Sequence, residues 1–97
     1  MKYIVEQTEG FAQWHSGLRD LRAKAAIIRR ITRAEAGNLG DIKPVGGGVS
    51  EMRVDVGTGY RLYFTLRGGQ IIILLAGGEK SSQQSDIKHA IALAREL

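Results

Sequence analysis

The hydrophobic pattern of this chain changes most sharply at the glycine-bounded stretch from Gly37 to Gly40, where helical spacing gives way to alternation. Before it, apolar residues recur at three- and four-residue spacing, as on amphipathic helices. After it they alternate with polar residues between frequent turn glycines, as on strands. The pattern predicts an α+β fold in which a helical hairpin is followed by a half that is mostly sheet. With 97 residues, and with no Pro- or Ser-rich linker and no internal repeat, residues 1–97 are expected to form a single domain around one modest core. Any site built on such a core must be shallow.

Lys2 to Gln7 reads as a short strand, after which Thr8 can cap a helix whose packing face carries Phe11, Trp14, His15 and Leu18, with Gly17 weakening its end. Asp20 is a good cap for a second helix running to about Ala36, with Leu21, Ala25, Ile28 and Ile31 as its apolar stripe. In the second half, Ile42 to Val45, Val49 to Val56, Tyr60 to Leu66 and Gln70 to Ala76 read as strands, and the last, apolar on both faces, is expected at a central place in the sheet. A polar loop from Gly77 to Ser85 then leads to a final helix from about Asp86 to Leu97, packing through Ile87, Ile91 and Ala94.

A three-residue loop, Gly57 to Gly59, would set Val56 opposite Tyr60, Val54 opposite Leu62 and Met52 opposite Phe64 on an apolar face. The other face would then pair Asp55 with Arg61, Arg53 with Tyr63 and Glu51 with Thr65. On pattern alone, that charged face is equally well explained as a solvated surface with cross-strand ion pairs. Lys80 and the small-residue turn Gly77-Gly78 bring a further cation and free backbone amides close to Arg53 and Arg61, a grouping able to hold a phosphate. The second helix adds a basic stripe of Arg19, Arg22, Arg29, Arg30 and Arg33. Alone, such a stripe more often solvates a helix. Combined with a net charge of +4 and a pI of about 9.8, it fits an anionic partner, either nucleic acid or an acidic protein.

Other chemistry is excluded or unsupported. With no cysteine there is no disulfide, thiolate metal site or thiol nucleophile, and His15 and His89 have no local partner at metal-ligand spacing, so no metal is expected. Gly77-Gly78-Glu79-Lys80-Ser81 resembles a phosphate loop but lacks its glycine spacing, and no small-molecule cofactor is indicated. The longest apolar run, Ile71 to Ala76, is too short to cross a bilayer, and the first residues carry no apolar signal core, so a cytoplasmic protein without a membrane partner is expected.

Four strings carry a resemblance: Gly40-Asp41-Ile42-Lys43-Pro44-Val45-Gly46, Ser50-Glu51-Met52-Arg53-Val54, Gly59-Tyr60-Arg61-Leu62-Tyr63-Phe64, and Leu75-Ala76-Gly77-Gly78-Glu79-Lys80-Ser81 followed by Gln83 and Asp86-Ile87. In order and spacing they resemble the HigB-like "addiction module killer" branch of the RelE/ParE toxins, and Phe11, Trp14, Leu18, Asp20 and Leu21 fit the same pattern. The resemblance implies a RelE-like fold with helices on one face of a curved sheet and a basic groove on the other. It also implies a type II toxin that cuts messenger RNA on the ribosome and is neutralised by a cognate antitoxin encoded by an adjacent gene. Carried over by position, Arg61 matches the central-strand arginine, Arg53 a basic position on the preceding strand, and Lys80 the basic site after the last strand, so these three are the candidate catalytic residues. Arg22, Arg29, Arg33, Lys43 and Tyr63 are the candidate RNA contacts. Some relatives place a tyrosine or histidine near the last helix where this chain has Gln83, Ser85 and Asp86, so the resemblance names no general base here. ParE-like inhibitors of DNA gyrase share the fold, and a noncatalytic module that only docks RNA or an acidic antitoxin would carry the same basic face.

Overall fold

Thr8 and Asp20 each end an extended segment and start a helix: the Thr8 hydroxyl accepts from the Phe11 amide, and the Asp20 carboxylate accepts from the amides of Arg22 and Ala23. These caps satisfy amide donors that have no partner within the helix. In this computed structural model, which describes residues 2–97, the chain runs β1 (Ile4–Gln7), α1 (Glu9–Ser16), α2 (Leu21–Glu35), β2 (Ile42–Gly46), β3 (Val49–Val54), β4 (Tyr60–Arg67), β5 (Ile71–Glu79) and α3 (Gln83–Arg95), with a 3-10 turn at Lys80–Ser82 before α3. The five strands form one sheet in the order β1-β5-β4-β3-β2, with β1 parallel to β5 and every other pair antiparallel. The expected α+β order is the observed one. β5, apolar on both faces, is an interior strand beside the central β4.

Alternation on the strands sends side chains to two different cores. Met52, Val54, Leu62, Phe64, Ile72 and Leu74 meet Phe11 of α1 and Ala23, Ile27 and Ala34 of α2 on one face. Val49, Tyr63, Ile73 and Leu75 meet Ala90, Ile87 and Ile91 of α3 on the other. The sheet is therefore covered on both sides, which corrects the expectation of helices on one face only. A β-bulge joins the two patterns: Tyr63 pairs with Ala76 and Phe64 with Leu74, so Leu75 is the extra residue and lies with Ala76 on the α3 side.

Three local expectations are also corrected. The β3–β4 register is shifted by two residues, with Val54 opposite Tyr60, Met52 opposite Leu62, Arg53 opposite Arg61 and Glu51 opposite Tyr63. The connection spans residues 55–59 rather than three residues, closed by Val56 N–H to Val54 O and Gly59 N–H to Val56 O, with Gly57 and Gly59 at positive φ. A shift by an even number leaves each side chain on its expected face. Gly77 and Gly78 are part of β5 and not a turn: a Cβ on Gly77 would strike the Trp14 ring, and one on Gly78 the Asp86 carboxylate. Finally, α2 packs through Ala23, Ile27 and Ala34, with Ala26 and Ile31 beside them, because small side chains let the helix approach the sheet closely; Leu21 and Ile28, expected in the stripe, are 74% and 52% exposed. Arg30 belongs to the inward side, where its guanidinium donates to the carbonyls of Arg53 and Leu39.

Candidate functional site

On the α3 face, β3 and β4 place like charges side by side: Arg53 and Arg61 are direct cross-strand partners, and the next position across the sheet is Gly78. Opposed like charges repel. A carboxylate one pleat away, Glu51, resolves the conflict: its Oε1 accepts from Arg53 Nε at 3.2 Å and from Arg61 Nε at 3.4 Å. Gln83, in the first turn of α3, donates from Nε2 to Oε2 at 3.1 Å and to Oε1 at 3.4 Å. Glu51 is fully buried, and its donors supply the hydrogen bonds that make a buried carboxylate tolerable.

The arginines are bound by their inner edges. The Arg61 side chain is only 14% exposed, and among the described residues its Nη atoms have no acceptor. Arg53 is 39% exposed and lies 4.0 Å from Asp41 Oδ1 at the outer limit of an ion pair. Both line an open cavity of about 340 Å³ with Lys80, Asp41, Asp55 and Tyr60. Lys80 reaches the rim because its amide donates to Gly59 O at 3.3 Å, while Thr58 Oγ1 donates to Glu79 at 2.8 Å, tying the β3–β4 loop to the end of β5. The structure thus brings Arg53, Arg61 and Lys80 to one cavity. A larger depression of about 560 Å³, near Trp14, sets Asp20, Glu79 and Asp86 against the single cation Arg19, a net negative lining that disfavours a phosphate.

The other sequence-selected residues are spread more widely. Arg22, Arg29 and Arg33 are exposed on α2, across the sheet from the two central arginines. Arg29 and Arg33 border a depression that shares Val54 and Asp55 with the cavity, so the basic side of α2 meets the cavity rim at the β3–β4 loop. Lys43 is exposed on β2, opposite Glu51 in register. Tyr63 is the correction: it is fully buried under α3 and has no surface to offer RNA. Among the described residues its hydroxyl has no hydrogen-bond partner, and its pKa is pushed up from 10.0 to about 12 by burial first, then by Glu51 and Asp86. His15 is structural, stacked on Phe11 and bonded at 3.1 Å to the Lys24 carbonyl.

Sequence reasoning missed Glu51, Gln83 and Arg30. Glu51 stands two residues before Arg53 on the same strand face, which is the available signal for their pairing; nothing local marks Gln83 or the inward turn of Arg30. Burial, with Arg33 adding repulsion, lowers the Arg30 pKa from its ordinary value.

Among solved structures, the fold matches a double arginine-to-alanine mutant of the E. coli toxin RelE in the free state, with a TM-score of 0.74 over all of both chains at 15% sequence identity. The architecture is therefore the RelE fold. Residues 16–97 match the family model described as Phage derived protein Gp49-like (DUF891). An uncharacterised protein of Haemophilus influenzae is 50% identical over 97 residues, covering all of this chain and 98% of its own length. The chain belongs to the Gp49-like family, a family of RelE-like toxins.

Proposed function

We propose that this chain is the toxin of a type II toxin–antitoxin pair and acts as a ribosome-dependent endoribonuclease, with the Arg53–Arg61–Lys80 cavity as its catalytic site. The observation carrying this reading is the cross-strand arginine pair, fixed from below by Glu51 and open to the cavity at its outer edge. In such cleavage the ribose 2′-oxygen attacks the adjacent phosphorus, the bond to the 5′-oxygen breaks, and the hydroxyl proton passes to an acceptor while the leaving oxygen gains one. Charge builds on the phosphoryl oxygens, where arginine donors and the Lys80 charge stabilise it. No histidine lines the cavity among the described residues. Rate then depends on charge stabilisation and on a substrate held in line, which the ribosome supplies. An acidic cognate antitoxin, encoded by an adjacent gene, would neutralise the basic surface.

The test is induction of the chain in bacterial cells with transcript ends mapped, alongside Arg61→Ala. The wild type should arrest growth and cut messages. Arg61→Ala should lose at least about a hundredfold in cleavage, as removal of a positioned donor does. Because Arg61 is mostly buried and bonded to Glu51, its loss should also cost on the order of 1–3 kcal/mol of stability, read by urea denaturation, while leaving a folded protein. Intact transcripts with trapped supercoiling would replace this reading with gyrase inhibition; absence of toxicity would leave a binding module.

A further inference from the structure

We infer that Glu51 is a positioning residue for phosphate, a buried carboxylate that holds Arg53 and Arg61 by their Nε edges and so aims their terminal amino groups together into the cavity. The inference rests on the cavity being a phosphate site, as proposed above, and goes beyond it by assigning a function to a residue that meets no substrate.

Three observations lead here. Glu51 has no exposed surface, so it acts only through its neighbours. A single oxygen, Oε1, accepts from both Nε groups, at 3.2 and 3.4 Å, which sets the two guanidiniums relative to one another as well as to the sheet. The other oxygen is held at 3.1 Å by Gln83, so the carboxylate itself is fixed from α3. A guanidinium presents its donors in a rigid plane. Fixing Nε on one edge therefore points the opposite edge, and around Arg61 that edge has no acceptor among the described residues. Without Glu51 the two cations, which pair directly across the strands, would repel and turn apart.

Charge counting and positioning predict opposite signs. Glu51→Gln removes one negative charge, taking the net charge from +4 to +5, and Coulomb attraction alone would then tighten phosphate binding. Positioning predicts the reverse, because the glutamine carbonyl is a weaker, uncharged acceptor for two charged donors.

The experiment titrates the full chain with a 2′-O-methylated RNA trinucleotide, which offers phosphates but cannot be cut, followed by NMR. Glu51→Gln should bind about tenfold more weakly than wild type. Its effect should vanish in the Arg53→Ala/Arg61→Ala background, a non-additivity that a general loss of stability would not produce. Unchanged or tighter binding by Glu51→Gln would overturn the inference. If Arg61→Ala binds as well as wild type, the phosphate-site reading fails instead. Should Glu51→Gln not fold, the wild type decides through the Nε–H resonances of Arg53 and Arg61: slow exchange with water at both supports the clamp, and exchange as fast as at an exposed arginine at both overturns it.

Discussion

The two faces of the sheet are built from the same strands but solve different problems. On the α1/α2 face, side chains from Ile72 and Leu74 on β5 to Met52 and Val54 on β3 are apolar, and helices cover them. On the α3 face the pattern divides. Val49, Tyr63, Ile73 and Leu75 are covered by α3, whereas Arg53 and Arg61 lie beyond the helix start, and Glu51 and Gln83 occupy the boundary between the two regions. One face is given to stability. The other uses part of its core as a foundation on which charged groups are held still, which flexible surface arginines on a solvated sheet could not achieve.

Neighbours on β4 make the comparison testable. Leu62 has no exposed surface in the first core, and Leu62→Ala should lose about 2–5 kcal/mol in urea denaturation through lost burial and the cavity left behind. Arg61, one residue away on the opposite face, should show a functional loss that exceeds its stability loss. If Leu62→Ala instead costs under about 1 kcal/mol, the α1/α2 face is not the main core.

A smaller effect is expected at Tyr63, which belongs to the covered part of the second face. Its hydroxyl is buried without a partner among the described residues, so Tyr63→Phe should leave stability unchanged or raise it by about 1 kcal/mol in thermal denaturation. The same group makes a pH prediction. Its folded pKa, about 12, lies above the ordinary 10.0, so the folded state holds the phenolic proton more tightly than the unfolded chain. That contribution is fully present below pH 10.0 and is lost as pH rises towards about 12. Wild-type stability should fall across that window, and Tyr63→Phe should fall less steeply; identical slopes would mean that the phenol is not buried in solution.

Much of this architecture can be read from the chain because local signals agree with the fold. Thr8 and Asp20 announce helix starts, the change of period at Gly40 announces the sheet, and even a register wrong by two residues preserves the faces of Leu62 and Arg61. What could not be read depends on which surfaces meet. The stripe Ile87, Ile91 and Ala94 says that α3 packs, but not on which side of the sheet. Leu21 and Ile28 have helical spacing as good as that of Ala23, Ile27 and Ala34, and only the close approach to the sheet selects the second set. Gly77 and Gly78 look like a turn until Trp14 and Asp86 are known to press against them. Glu51 looks solvated until α3 covers it.

The smallest effect on the fold is expected from the basic side of α2, which faces solvent rather than either core. Arg22, Arg29 and Arg33 are exposed, and among the described residues none forms an ion pair, so changing all three to glutamine should alter stability by no more than about 0.5 kcal/mol per site. Arg30, bonded inward to the carbonyls of Arg53 and Leu39, is left unchanged because it supports β3. If the three arginines rest on phosphates of ribosomal RNA, each contact releases counterions, so the triple variant should bind ribosomes more weakly and lose up to about three units from the slope of log affinity against log salt. The uncut oligonucleotide should still bind the variant, since none of the three arginines lines the cavity itself. An unchanged salt slope would remove α2 from ribosome docking and leave the Arg53–Arg61–Lys80 cavity as the proposed RNA contact.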